Sequence, residues 1–121
     1  MFFHIYFPRP VRESLLMHAL NFYKCLSDQT RLKILLLLCQ KKELCVCELV
    51  DELDASQPKV SRHLAQLKCC KLIQHRREGQ WMYYRLHEKL PDWCLESLEL
   101  ALRNNQDFLR HRKTTFDGLR P

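Results

Sequence analysis

Between Val46 and Cys70 the sequence carries two short amphipathic helical patterns split by only three residues. This spacing constrains the fold more than any other feature of the chain. Val46, Leu49, Val50 and Leu53 recur at helical spacing over about 46–53. Asp54-Ala55-Ser56 then interrupts the pattern; Ser56 is a ready N-cap, and Pro58 is tolerated in the first turn of the second helix. That helix spans about 57–70, with Val60, Leu64 and Leu67 turned inward at i, i+4 and i+7. Its other face shows Gln57, Lys59, Ser61, Arg62, His63 and Gln66. Two helices joined by so short a turn, the second polar and basic, describe a helix-turn-helix whose second helix enters a major groove.

The flanks complete the architecture. Leu72-Ile73-Gln74-His75-Arg76-Arg77 and Gln80-Trp81-Met82-Tyr83-Tyr84-Arg85-Leu86 alternate and are rich in branched and aromatic residues. With Glu78-Gly79 between them they predict a β-hairpin, a basic-tipped wing. Upstream, Val11, Leu15, Leu16, Ala19, Leu20 and Tyr23 predict a helix over 11–25, and Ser27-Asp28 offers an N-cap for another over 28–40. A last helix over about 91–111 begins at Pro91 and keeps Leu95, Leu98, Leu102 and Leu109 on one stripe. So small a core cannot bury that stripe, so a twin chain is expected to cover it. The expected fold is mainly α with a small β-hairpin: a winged helix-turn-helix, homodimeric through its terminal helices. It divides into an N-terminal arm (1–10), the winged domain (11–112) and a C-terminal tail (113–121) expected to fray.

Charge is unevenly placed within a formal net charge of +6. Glu43, Glu48, Asp51, Glu52 and Asp54 fall between 43 and 54 with no base among them. Between 57 and 85 stand Lys59, Arg62, Lys68, Lys71, Arg76, Arg77 and Arg85 against Glu78 alone. One contiguous basic third suits a polyanion such as nucleic acid. With only Gly79 and Gly118 as glycines, a turn-rich all-β fold or a glycine-rich phosphate loop is disfavoured. No apolar run reaches the roughly 20 residues that span a bilayer. Met1 to Phe7 is too short for a signal core and lacks a basic lead-in. The cysteines number seven, an odd count, and Cys39 sits in an apolar run as a small core residue, so a reduced, cytoplasmic protein is expected rather than a disulfide scaffold.

Cys45 and Cys47 stand immediately ahead of the first helix of the helix-turn-helix. On a regular helix, residues i and i+2 point about 200° apart and cannot share one ion. They converge only where the segment is non-helical, as at a helix start. A soft ion captured there is expected to pull the first turn out of shape and so misplace the second helix. A helix N-terminus lowers thiol pKa, while Glu43 and Glu48 oppose that.

Four motifs in order, Leu26-Ser27-Asp28-Gln29-Thr30-Arg31-Leu32-Lys33-Ile34-Leu35, Glu43 to Leu49, Ser56 to Leu64 and Gly79 to Leu86, resemble the ArsR/SmtB family of metal-responsive repressors. The likeness covers roughly 15–105 and is strongest to its arsenical-resistance members. It implies a winged-helix homodimer that sits on double-stranded, inverted-repeat operator DNA and leaves it when trivalent arsenic or antimony binds. No organic cofactor and no membrane are implied, and the protein is not expected to be an enzyme.

The ligands so implied are Cys45 and Cys47, since trivalent arsenic and antimony are thiophilic. Val50 departs from the family's third cysteine, which leaves Cys25, Cys94, Cys69-Cys70, an exogenous thiol or hydroxide as candidates for the third bond. Lys71 departs from the glycine that usually ends the second helix. A zinc site on the terminal helix lacks histidines between His87 and His111. Gln57, Lys59, Ser61, Arg62 and His63 are the expected readers of base edges and phosphates, and Arg76 and Arg77 suit phosphates or a minor groove. An alternative of the same fold is a thiol redox sensor oxidised at Cys45 and Cys47 or at Cys69 and Cys70. A thiol-based arsenate reductase would need an anion-cradling loop that neither glycine supplies. A membrane-surface module would rest on Met1 to Phe7 alone.

Overall fold

The computed structural model describes residues 18–110 and is built around α2 (Gln29–Lys41). Asp28 caps this helix, its carboxylate accepting from the Arg31 N–H at 3.0 Å. Every residue from Lys33 to Cys39 is buried, as befits a helix apolar on nearly all sides. Lys33 is carried into this layer with its Nζ 5.0 Å from the centre of the Phe108 ring, and burial lowers its pKa. Around α2 pack α1 (Ala19–Leu26), α3 (Val46–Leu53), α4 (Gln57–Cys69), α5 (Asp92–Asn104) and α6 (Gln106–Arg110). The core is filled by Phe22, Leu35, Leu49, Leu64, Leu72 and Leu98, among others.

Two helix ends adopt left-handed backbone without glycine. After α3, Asp54 takes φ 52 and lets the Ala55 N–H reach the Val50 carbonyl at 3.3 Å. After α4, Lys71 takes φ 66; its N–H reaches Lys68 O at 3.0 Å and the Leu72 N–H reaches Leu67 O at 3.1 Å. That is a Schellman closure with lysine in the position glycine normally fills, at a strain of about 1 kcal/mol. A third reversal follows α2, where Lys42 (φ 75, ψ −52) forms a γ-turn closed by Glu43 N–H to Lys41 O at 2.9 Å. It turns the chain straight into the two-residue strand β1 (Leu44–Cys45).

The wing is β2 (Ile73–Glu78) and β3 (Trp81–Leu86), antiparallel, with Glu78 opposite Trp81. Gly79 takes φ 64 at the first central residue of the two-residue turn, which favours glycine. β1 pairs with β3 on its other side, giving a three-stranded sheet in the order β1-β3-β2. This extends the expected hairpin, since two residues carry no readable period. The expected helix over 91–111 is two helices: Asn105 breaks it at φ −140, ψ 43. Around the break the side chains of Asn104, Asn105 and Gln106 donate to the carbonyls of Leu100, Ala101 and Leu102, competing with the helical ladder. Within the expected helix over 11–25, α1 begins at Ala19, after an extended His18 (φ −72, ψ 143). Its stretch before residue 18, the arm 1–10 and the tail 113–121 lie outside the described residues. Among the described residues no helix is long and apolar enough to cross a membrane.

Candidate thiol site and nucleic-acid interface

Cys45 is the last residue of β1 and the N-cap of α3, with extended backbone (φ −89, ψ 168). Cys47 lies one turn-step further, inside the helix. Because Cys45 is not helical, the two side chains converge, and their sulfurs stand 3.2 Å apart. Cys45 is buried and Cys47 exposed, so the pair is open to solvent on one side. The sulfurs already meet across the helix start while α3 is intact from Val46 onward. What engages Cys45 is a capping box, in which its Sγ accepts from the Glu48 N–H and the Glu48 carboxylate accepts from the Cys45 N–H at 2.9 Å. Burial, then the contact with Cys47, pushes the Cys45 thiol above its ordinary pKa, against a smaller opposing pull from the Glu48 N–H.

The sheet joins this site to the wing. Cys45 faces Tyr83 across β1–β3. Arg76 faces Tyr83 from the other side, its guanidinium 4.7 Å from the ring centre. Its Nε and Nη2 grip the two oxygens of Glu43 at 2.8 and 2.9 Å, and Nη1 grips Glu78 at 2.8 Å. Arg76 holds the Glu43 carboxyl below the usual carboxylate range. Arg76, expected at phosphates, is thus committed within the protein, whereas its neighbour Arg77 is exposed on the opposite face of the strand.

On α4, Gln57, Lys59, Ser61 and Arg62 are exposed together at the N-terminal half, with Ser56 Oγ accepting from the Lys59 N–H at 3.3 Å. Two residues expected on that face are elsewhere. His63 is buried, because 60, 63, 64 and 67 form the full i, i+3, i+4, i+7 inner stripe. Its Nδ1 lies 3.8 Å from the Asp28 carboxylate, and burial lowers its pKa against that attraction. Gln66 turns toward Arg31, accepting from Nη1 at 3.2 Å. Arg31 also donates to the Cys25 carbonyl at 2.8 Å, so it ties α1, α2 and α4 together. Sequence reasoning missed Arg31, Glu43 and Tyr83 as working parts; the contacts Arg31–Gln66, Glu43–Arg76 and Tyr83–Cys45 each span more than thirty positions, and local pattern carries no sign of them.

The remaining cysteines do not gather on Cys45 and Cys47. Cys25 and Cys70 lie against each other, Cys94 is buried in α5 with its pKa pushed up to about 11 by desolvation, and Cys39 is buried in α2. Cys69 is exposed at the end of α4. Among the described residues no group of three or more His, Cys, Asp or Glu is placed to hold a metal ion.

Comparison with known proteins agrees with this architecture. The profile described as bacterial regulatory protein, arsR family, matches residues 28–75. The arsenic resistance transcriptional regulator ArsR1 of Pseudomonas putida is 49% identical over 87 residues, covering 72% of this chain and 68% of its own length. The arsenical resistance operon repressor of Escherichia coli is 46% identical over 88 residues, covering 73% and 75%. The solution structure of the homodimeric winged helix-turn-helix DNA-binding domain of Mb0332 from Mycobacterium bovis superposes with a TM-score of 0.61 at 28% identity, covering 81% of this chain and 87% of that one.

Proposed function

This chain belongs to the arsR family of bacterial regulatory proteins, and from that premise we propose that it is an operator-binding repressor released when Cys45 and Cys47 capture trivalent arsenic or antimony. The observation that carries the reading is the 3.2 Å separation of the two sulfurs. Two sulfurs each about 2.3 Å from one centre, and about 90° apart, lie about 3.3 Å from each other. The pair therefore needs almost no rearrangement to chelate. Arsenous acid also suits Cys45 held as a thiol: each As–O bond gives way to an As–S bond, and the thiol proton leaves with the hydroxyl as water. With Cys25 and Cys70 turned to each other, the third bond falls to hydroxide or an exogenous thiol.

Capture removes Cys45 Sγ from the α3 capping box, a loss of about 1 kcal/mol. A hundredfold fall in operator affinity requires about 2.7 kcal/mol. The remainder has to come through the β1–β3 pairing, which ends at Cys45, and the packing of α3, which Cys45 caps, on α4. Gln57, Lys59, Ser61 and Arg62 read the major groove, Arg77 meets the backbone, and Arg76 positions the wing. His63 supports the helix from within.

The protein acts as a homodimer in the cytoplasm, on inverted-repeat double-stranded DNA, through a domain spanning 11–112 between an arm (1–10) and a tail (113–121). Leu20 and Tyr23 of α1 and Trp93 and Leu100 of α5 are large apolar residues left exposed, and Tyr23 and Trp93 lie 6.4 Å apart. The stripe expected to meet a twin chain instead packs inward, with Leu98 buried and Leu95, Leu102 and Leu109 against the core, so these exposed residues supply the self-complementary apolar surface a two-fold interface needs. The test is fluorescence anisotropy on promoter DNA with arsenite, antimonite, zinc, cadmium and peroxide added in turn. The Cys45→Ser/Cys47→Ser variant should bind DNA and ignore arsenite; arsenite release persisting in it would refute the assignment.

A further inference from the structure

A second pair of sulfurs meets at the other end of α4, away from the inducer pair. Cys25 in the last turn of α1 and Cys70 at the C-cap of α4 have their Sγ atoms 2.7 Å apart; both are buried, and both are free thiols. Inducer capture at Cys45 and Cys47 does not use them. The spacing distinguishes the two pairs chemically. Sulfurs sharing a soft ion stand more than about 3 Å apart, while a disulfide holds them at about 2.05 Å. At 2.7 Å, within a close-packed apolar core, Cys25 and Cys70 leave no room for an ion and need to contract by well under 1 Å to bond. Their backbones are already held on both sides. Arg31 donates to the carbonyls of Cys25 and Lys24 at 2.8 and 3.4 Å and to Gln66 at 3.2 Å. Directly after Cys70 comes the left-handed Lys71.

We propose that Cys25 and Cys70 form a reversible intramolecular disulfide, a latch that fixes the end of the recognition helix to the end of α1. With a hydroperoxide as oxidant, one sulfur reacts as thiolate with the peroxide oxygen, breaking the O–O bond and releasing an alcohol, and becomes a sulfenic acid. The second sulfur attacks it, the S–O bond breaks, the S–S bond forms and water leaves. Two thiols and one hydroperoxide thus give one disulfide, one alcohol and one water, and a dithiol reductant reverses the bond by exchange. The contact with Cys25, then burial, holds Cys70 as the thiol, so the reaction proceeds through opening of the α4 end. The latch therefore answers to sustained oxidation, in keeping with the sensing use of disulfides inside cells. Because the contraction is small, the latched form keeps its DNA-binding geometry and resists displacement of α4. That last consequence rests on inducer capture at Cys45 and Cys47.

The full chain, treated with tert-butyl hydroperoxide, alkylated and peptide-mapped, should yield a cross-linked pair containing Cys25 and Cys70, absent from Cys25→Ala and Cys70→Ala. Its Tm should rise on the order of 10 °C over the reduced form. Cys25 and Cys70 both alkylated once the oxidised chain is unfolded, or cross-links only through Cys69 or between protomers, would overturn the proposal. Should an alanine variant fail to fold, the wild-type map decides alone. In a second arm, oxidised wild type should need about tenfold more arsenite for operator release than oxidised Cys70→Ala. Equal midpoints would overturn the mechanical role, while the peptide map, which contains no arsenite, stands apart from any failure of the inducer reading.

Discussion

Cys45 stands opposite Tyr83 across the β1–β3 ladder, and Tyr83 stands opposite Arg76 across β3–β2, so the buried thiol and the wing guanidinium occupy one row of the sheet. The row closes on itself, since Arg76 lies over the Tyr83 ring and grips Glu43, two residues before Cys45. A displacement of Cys45 is therefore felt at the wing through backbone pairing and a bidentate ion pair at once. The same residue caps α3, which packs on the recognition helix. Cys45 is thus joined to the wing by strand pairing and to α4 through α3.

Cutting the ion pair should weaken that link without unfolding the chain. Glu43→Gln is expected to change Tm little, because Arg76 is exposed and an exposed pair adds little stability. The ratio of operator Kd with and without arsenite should shrink by about fivefold, a coupling of ordinary allosteric size. Arg76→Lys should behave like the loss of the residue, since one ammonium cannot fork onto two carboxylate oxygens. Unchanged coupling in both variants would show that the wing is a bystander to induction.

Proton release separates arsenite from divalent metals. The Cys45 pKa is raised, so at neutral pH the residue enters capture as a thiol. Condensation with uncharged arsenous acid returns the thiol protons as water, and the arsenite midpoint should stay flat between about pH 6.5 and 8. Cadmium must displace the protons into solution, so its affinity should strengthen by about tenfold per pH unit for each proton released. Anisotropy titrations at three pH values check both slopes. An arsenite midpoint that climbs steeply with pH would rule out capture by Cys45 as a neutral thiol.

The recognition helix gives a salt prediction. Lys59→Ala and Arg62→Ala should each reduce the slope of log K against log salt by about one if the side chain meets a phosphate. If Arg62 instead forks onto a guanine, its loss should cost about 1–3 kcal/mol and relax preference at one position, with the slope less affected. Arg77→Ala belongs to the first class and Arg76→Ala to neither, because its charge is already answered by Glu43 and Glu78.

How far the sequence could be read depends on which information is local. The two helices around Asp54-Ala55-Ser56, the Asp28 and Ser56 caps and the Gly79 turn rest on periodicity and on residues within four positions, and the structure has them all. Convergence of Cys45 and Cys47 was legible too, since it needs only that the helix start between them. The strand β1 was hidden because pairing of two residues is decided by Tyr83 and Tyr84, nearly forty positions away. The Glu43–Arg76 and Cys25–Cys70 contacts were hidden for the same reason. The break at Asn105 was available in the run of amide side chains, but the leucine stripe overrode it.

His63 is polar by type but sits on the inner stripe of α4, and that environment makes a prediction of its own. Its folded pKa lies below the ordinary 6.5 because burial disfavours the cation more than Asp28 favours it. Below about pH 6.5 the unfolded chain binds a proton that the folded chain resists, so this contribution to stability is complete above that pH and is lost as pH falls. Tm should therefore decline between pH 7 and 5, and His63→Gln should flatten the decline over that window. The substitution should lower Tm at pH 7 through lost packing while leaving operator sequence preference unchanged, because the ring faces α2 and Asp28 rather than a groove. A variant with normal Tm and altered base preference would return His63 to the reading face.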